Sequence, residues 1–166
     1  MRSVVMAAVL AIVVAVAIGY AVSGKKTPAL TPADVEQVTS VTNVRVVTHA
    51  GTAVDPKSAD ASDLEFADMR GQTILRLNFI SMADFKKAKE QKEIDVNGRK
   101  IPAVLFNAPV PGIGDEAFDG PKGPMQTFIY FRKGKRAALL SAVQAAHLRL
   151  TPDDLRALAK IAASRF

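Results

Sequence analysis

Hydrophobic and polar positions follow three different patterns along the chain. Between Arg2 and Lys25 no side chain is charged, and the run Val4–Ile18 consists of Val, Ala, Ile, Leu and Met. Farther along, apolar residues recur at helical spacing in three places and alternate with polar residues between them. Helical spacing is typical of amphipathic helices, and alternation is typical of strands with one buried face. The sequence therefore predicts an apolar leader followed by one domain of helices and strands.

The three helix starts share one signal, a hydroxyl side chain followed three residues later by a carboxylate. The pairs are Thr31 and Asp34, Ser81 and Asp84, and Thr151 and Asp154. A hydroxyl at this position accepts a hydrogen bond from a free backbone N–H, and the carboxylate favours the positive end of the helix dipole. Three helices are therefore predicted, each beginning just after its hydroxyl residue.

Alternating positions predict two hairpins between the helices. Residues 64–79 alternate on both sides of Gly71, and residues 128–143 form a second pair of strands around Gly134. Hairpins imply antiparallel pairing, and one apolar face per strand implies helices packed on the sheet. The predicted fold class is α+β, with an antiparallel sheet covered by three helices.

Further elements complete the predicted domain, which covers residues 31–166. Residues 44–48 and 103–106 are additional predicted strands. Residues 55–63 are polar and rich in Ser, Ala and Asp, and residues 107–124 are rich in Pro and Gly, so both are predicted as irregular loops.

The apolar leader predicts a membrane-spanning helix. A helix over residues 3–24 would be roughly 33 Å long, enough to cross a bilayer core of about 30 Å. A cleaved export signal and a retained anchor are both compatible with this segment, and its apolar length, beyond the usual signal core of about 7–15 residues, favours the anchor. We expect residues 1–24 to be the transmembrane anchor or signal segment, in which residues 3–24 contact membrane lipid. Residues 25–30 are expected to be a linker. The domain would lie in the periplasm, as part of a single-pass protein of a bacterial inner membrane.

Composition excludes several classes of chemistry. The chain has no Cys, which excludes disulfides, Cys-ligated metals and lipoprotein attachment. Its two histidines, His49 and His147, lie in different segments, and no Gly-x-Ser-x-Gly nucleophile motif is present. No catalytic, cofactor-binding or metal-binding residue is predicted, and the protein is not expected to be an enzyme.

The segment Gly112–Ala117 matches the letters of a dinucleotide-binding loop. That mechanism needs a helix directly after the loop, but Gly120 and Pro121 would interrupt any helix there. The preferred interpretation is a turn that leads into a strand at Phe118.

The carboxylates of the same loop, Asp115, Glu116 and Asp119, could offer oxygens to a hard cation. A calcium loop of the EF type would need an oxygen ligand at its third position and Glu at its twelfth, which here are Ala117 and Gln126. The match fails, and solvated loop charges are the preferred interpretation.

A cluster of cations surrounds Gly134 in the second hairpin. The chain has 22 Lys and Arg against 16 Asp and Glu, a net charge of +6, and four of these cations lie within five residues. Such a cluster can bind anionic lipid headgroups or an acidic partner subunit, and the alternative is a solvated turn that keeps the strands soluble. Nucleic acid is not expected, because the domain is placed outside the cell membrane and stacking aromatic residues are few. The candidate partner-binding residues are Arg132, Lys133, Lys135, Arg136, Asp115 and Glu116.

Several short segments, distributed over essentially the whole domain, resemble segments of known proteins. They are Leu30–Val35, Pro111–Phe118, Ile129–Gly134, Leu150–Leu155 and Leu158–Lys160. As a set they resemble a group of small exported bacterial proteins of uncharacterised function. The resemblance implies an α/β/α sandwich similar to the PsbP-like fold, and it brings no catalytic residues. PsbP is a non-catalytic subunit of a photosynthetic membrane complex, so a photosynthetic or electron-transport role is implied by fold analogy alone.

These observations lead to one expected function and one alternative. We expect a non-catalytic, membrane-anchored periplasmic accessory or assembly subunit of a larger membrane protein complex. The alternative is a secreted periplasmic binding module for a lipid, glycan or peptide. An enzyme that works through residues 107–124 is least favoured, because no nucleophile and base can be named.

Overall fold

The helices begin where the capping signals predict them. The structure, a computed structural model, describes residues 28–48, 63–102, 106–120, 126–143 and 150–166. Its helices are α1 (Pro32–Thr39), α2 (Met82–Glu90) and α3 (Pro152–Ser164). Thr31 and Thr151 each form a capping box with the carboxylate three residues on, and Ser81 accepts from the backbone N–H of Asp84. All three predicted helix starts are confirmed.

Seven of the strands form one antiparallel sheet. The strands are β1 (Arg45–Val47), β2 (Asp63–Ala67), β3 (Thr73–Ile80), β4 (Glu93–Val96), β5 (Arg99–Pro102), β6 (Ala108–Pro109), β7 (Glu116–Asp119), β8 (Gln126–Lys133) and β9 (Arg136–Val143). The order in the large sheet is β1-β2-β3-β9-β8-β7-β6, and β4 and β5 pair with each other. Both predicted hairpins, β2–β3 and β8–β9, are confirmed, and with them the α+β class.

Other parts of the strand prediction differ from the structure. The β4–β5 hairpin was not predicted; its turn is Asn97-Gly98, two residues with positive φ, which favour a tight hairpin. The segment 107–124, predicted to be irregular apart from a strand at Phe118, contains that strand as β7 and also β6, because its backbone pairs onto the edge of the sheet at β8. Phe106 lies outside any strand, and residues 49–62 and 103–105 lie outside the described residues.

One face of the sheet carries the hydrophobic core. Leu75 and Leu77 of β3, Leu140 of β9, and Ile129 and Phe131 of β8 are almost fully buried at alternate strand positions. Helix α3 contacts β8 and β9, and α1 contacts α3, so these two helices cover this face. The core also includes Ala29 and Leu30, from the segment predicted as a linker.

An ion pair joins the beginning of α1 to the residue after α3. Arg165 Nη1 lies 2.6 Å from Asp34 Oδ2, and its Nη2 lies 2.8 Å from Asp34 Oδ1. Burial alone would raise the pKa of Asp34, but hydrogen bonds from Arg165 and Thr31 outweigh it and hold the pKa below its usual value. The same carboxylate therefore caps α1 and connects α1 to α3.

The predicted transmembrane helix is wrong on the present structure. None of the helices in the described ranges, of which α3 with 13 residues is the longest, is long and apolar enough to cross a bilayer. These helices are short and amphipathic, because each buries one face in the domain and exposes the other. The predictions that depend on this helix are therefore wrong as well. They are the signal-anchor, the single-pass topology and the inner-membrane location with a periplasmic domain. Residues 1–24, on which those predictions were based, lie outside the described residues.

Candidate functional site

The six candidate residues lie together at one end of the sheet. Lys133 ends β8 and is paired with Arg136, the first residue of β9, so Gly134-Lys135 forms the turn. Asp115 and Glu116 stand at the beginning of β7, where Glu116 is paired with Arg132. The sequence separates these two segments by about 15 residues, and the β7–β8 pairing brings them into contact. We call residues 132–136 the basic turn.

The loop before β7 is fixed to the basic turn through the backbone. The N–H of Asp115 donates to the carbonyl oxygen of Arg132 at 2.8 Å, and the N–H of Gly134 donates to Asp115 Oδ2 at 2.7 Å. Gly114 has a φ of 57°, and a Cβ atom there would lie 2.2 Å from the Arg132 carbonyl oxygen. The Gly-x-Gly letters therefore reflect a close backbone approach, and the predicted turn into a strand at Phe118 is confirmed.

The two loop carboxylates are paired with cations of the same chain. Arg132 Nε donates to Glu116 Oε2 at 2.9 Å, and Arg132 Nη1 lies 3.5 Å from Asp115 Oδ2. Lys89 of α2 also donates to Glu116. Hydrogen bonds from Lys89 and then Arg132 hold the pKa of Glu116 below its usual value, and partial burial only partly opposes them. Asp115 and Glu116 therefore form their ion pairs inside the domain, and both of them bind the guanidinium of Arg132.

Arg136 is occupied on the opposite face of the sheet. Its guanidinium lies 4.9 Å from the ring centre of Phe79 and 4.8 Å from that of Phe166. Phe166 also stacks on Phe131, a core residue of β8. A guanidinium over two aromatic faces is held by the negative charge of their π-systems. Both arginines of the basic turn thus have partners inside the domain.

Lys133 and Lys135 are the cations of the basic turn that remain accessible. Both side chains are exposed, and neither forms an ion pair with any residue that the structure describes. They stand on a turn whose backbone is held by Asp115 and the loop before β7. Of the four cations in the basic turn, Arg132 and Arg136 contact groups of the same chain, and Lys133 and Lys135 are exposed.

An aromatic cluster, which sequence analysis missed, positions α2 over the other face of the sheet. Phe85 of α2 meets Phe106 edge to face at 5.2 Å between ring centres, and Phe106 contacts Phe118 and Tyr130, each at 4.7 Å. Burial raises the pKa of Tyr130. The cluster brings Lys89 over the ring of Phe118 and to Glu116. The alternation of Phe128 and Tyr130 in β8 was its sequence signal.

The described residues offer no arrangement of side chains typical of a metal site. Within them no group of three or more His, Cys, Asp or Glu side chains is arranged to hold a metal ion. His49 and His147 lie outside the described residues. No family model, curated protein or solved structure matches the chain. The resemblance to small exported proteins with a PsbP-like sandwich therefore stays a prediction.

The contacts of Glu116 predict a modest role in stability. Replacing Glu116 by Gln should lower the free energy of unfolding by about 1 kcal/mol, because two cations lose a half-buried anionic partner. Chemical denaturation measures the change. Glu90→Gln is the matched control: its partner Lys86 lies 3.9 Å away and both are exposed, so a change of only about 0.3 kcal/mol is expected. Equal losses in the two variants would contradict the role assigned to Glu116.

Proposed function

We propose that this domain is a non-catalytic accessory or assembly subunit that binds another protein of a larger complex through the basic turn. The observation that carries the proposal is the division of charge in that turn. Arg132 and Arg136 bind groups of the same chain, whereas Lys133 and Lys135 are exposed and unpaired among the described residues. An acidic surface of a partner complements these two lysines.

The geometry of the turn suits it to binding. A loop that becomes ordered only on binding loses conformational freedom, which weakens association. Here the backbone beneath Lys133 and Lys135 is already held by the hydrogen bond from Gly134 to Asp115 and by the pairing of β8 with β9. Exposed charges on such a rigid element also accelerate the encounter with an oppositely charged partner.

The state of the loop carboxylates supports a non-catalytic role. A carboxyl group that acts as a general acid near neutral pH needs a raised pKa. The pKa of Glu116 is instead lowered, and Asp119 is held by Arg156, with 2.5 Å between Asp119 Oδ2 and Arg156 Nη2. Both carboxylates are therefore engaged in ion pairs that stabilise the fold.

Charge reversal of the two accessible lysines tests the proposed function. The affinity-tagged full chain is produced in the organism that naturally makes it, as the wild type and as the double variant Lys133→Glu/Lys135→Glu. The proteins that co-purify with each form are quantified by mass spectrometry. We expect one defined complex to be recovered with the wild type and reduced about tenfold or more with the variant, because like charges would then face each other.

A matched variant controls for net charge. Lys100 in β5 and Lys160 in α3 are also exposed, and Lys100→Glu/Lys160→Glu changes the charge by the same amount at other places. This control should keep the complex. Recovery of the complex with both variants, or recovery of the wild-type chain without any stoichiometric partner, would contradict the proposed function.

A further inference from the structure

We propose that Lys133 and Arg136 form a binding site for a single terminal phosphate group. The proposal goes beyond the proposed function, because the ligand is a small anion and not a partner protein. It starts from the pairing of β8 with β9, in which Lys133 and Arg136 lie directly opposite each other. The Cβ atoms of directly paired residues are about 5 Å apart on the same face of the sheet, and two like charges in this arrangement destabilise it.

The fold does not neutralise this pair of cations. Neither Lys133 nor Arg136 forms an ion pair with a carboxylate among the residues that the structure describes. Asp115, the carboxylate held at the basic turn, accepts from the N–H of Gly134 at 2.7 Å and lies 3.5 Å from Arg132 Nη1. An external anion between the two opposed side chains would therefore remove the repulsion between them.

Two aromatic rings position the guanidinium of Arg136. Its central carbon lies 4.9 Å from the ring centre of Phe79 and 4.8 Å from that of Phe166, and both rings pack against the hydrophobic core. This contact joins a charge to two π-systems, and the N–H donors of Arg136 form no hydrogen bond with any described residue. Its nitrogen atoms are also absent from the buried atoms without a partner, so they are open to solvent. Arg136 therefore presents a positioned fork of donors to a ligand.

The two cations together match a phosphate group better than a carboxylate. An arginine fork forms two parallel hydrogen bonds with two oxygen atoms of either anion. A carboxylate offers only the two oxygen atoms that the fork already binds, whereas a terminal phosphate group has a third oxygen atom for Lys133. The charges agree as well, because a phosphate monoester carries about −1.5 to −2 at pH 7, against two cations.

The ligand is therefore a terminal phosphate group, either inorganic phosphate or the monoester of a small molecule. The fork of Arg136 and the point charge of Lys133 together contact all three terminal oxygen atoms. Recognition at this site accordingly needs no contact beyond the phosphate group itself.

A nuclear magnetic resonance titration of the full chain tests the proposal. Inorganic phosphate, glycerol 3-phosphate and acetate are added separately at about 20 mM salt, where charge is weakly screened. The Nε–H signal of Arg136 and the backbone N–H signal of Gly134 report on the site. We expect both phosphates to shift these signals to saturation and acetate to bind at least about tenfold more weakly. Equal affinity for the two phosphates would identify inorganic phosphate as a sufficient ligand, and tighter binding of the ester would identify an organic phosphate; both results support the site.

Variants of the two cations separate the fork from the charge. Arg136→Lys keeps the charge and removes the fork, so it should weaken phosphate binding about tenfold. Arg99→Lys is the matched control, because Arg99 is exposed on β5, and it should change the affinity less than about twofold. Lys133→Gln should weaken binding about fivefold, whereas Lys135→Gln, the same change elsewhere in the basic turn, should weaken it less than about twofold.

Thermal unfolding verifies that each variant is folded. Lys133→Gln leaves the aromatic contacts of Arg136 intact, so the test stays decisive even if Arg136→Lys does not fold. Phosphate binding that is unchanged in Lys133→Gln or in folded Arg136→Lys would overturn the proposal. Equal losses in Lys133→Gln and Lys135→Gln, or acetate binding as tight as phosphate binding, would overturn it as well.

The phosphate site and the proposed function can fail separately. Arg136→Lys keeps both exposed lysines, so it should lose phosphate binding and still recover the co-purifying complex. If the complex depends on Lys133 and Lys135 while phosphate does not bind, the phosphate site is wrong and the proposed function stands. If phosphate binds as expected and no complex is recovered with the wild type, only the proposed function is wrong.

Discussion

Replacing Gly114 by alanine should destabilise the domain by about 3 kcal/mol. Two effects add in this variant. An L-residue at a φ of 57° is strained, and the new Cβ would lie 2.2 Å from the carbonyl oxygen of Arg132, a backbone atom that cannot rotate away. For a chain of 166 residues this loss corresponds to a decrease of roughly 6–12 °C in the thermal unfolding midpoint, which differential scanning calorimetry measures.

Gly134→Ala is the matched control for this variant. Gly134 has nearly the same φ, 58°, but a Cβ atom added there would meet no atom of the described residues within 4 Å. The control therefore carries the backbone strain without the collision, and we expect a loss of about 1 kcal/mol. If the two alanine variants unfold at the same temperature, the close approach of the loop to Arg132 does not contribute to stability.

Replacing Asp34 by alanine should lower the free energy of unfolding by about 3 kcal/mol at neutral pH. About 1 kcal/mol comes from the lost helix cap, and the remainder comes from the two charge-assisted hydrogen bonds with Arg165, whose partners are mostly buried. Urea denaturation measures the change. Asp154→Ala is the matched control, because Asp154 forms the same capping box in α3 without an arginine partner among the described residues, and its loss should be about 1 kcal/mol.

The contribution of Asp34 should depend on pH in one direction. Because its pKa is lower in the folded state than in the unfolded state, its stabilisation is complete above the unfolded value of about 3.9 and is lost as the pH falls through the folded value. The difference between the wild type and Asp34→Ala should therefore be constant near neutral pH and shrink below about pH 4. A difference that stays constant into strong acid would show that the Asp34 carboxylate is not stabilised by Arg165.

Local signals made the helices and hairpins predictable. A hydroxyl and a carboxylate three residues apart, as at Thr31 and Thr151, satisfy the first turn of a helix without help from the rest of the chain. Gly71 and Gly134 likewise mark turns between strands that are neighbours in sequence. In each case the partners of the backbone groups lie within a few residues, so the sequence pattern is sufficient.

Contacts between distant segments could not be predicted in this way. Asp115 and Glu116 were predicted to bind a partner together with the basic turn, but the pairing of β7 with β8 makes them partners of Arg132. The distinction between occupied and accessible cations depends on the same pairing, and on the packing of Phe166 beneath Arg136. The predicted transmembrane helix was inferred from the length and lack of charge of residues 3–24, which lie outside the described residues.

The order of strands in the sheet has a consequence for synthesis of the protein. Strand β9 lies between β3 and β8, so the β1–β3 half of the sheet gains its inner neighbour only after residues 136–143 are made. Until then a nascent chain exposes the apolar side chains of Leu75 and Leu77, which are fully buried in the finished domain. Helix α3, which covers this face of the sheet together with α1, is made later still. The half-made sheet is therefore the stage of synthesis at which chaperones would protect the chain from aggregation.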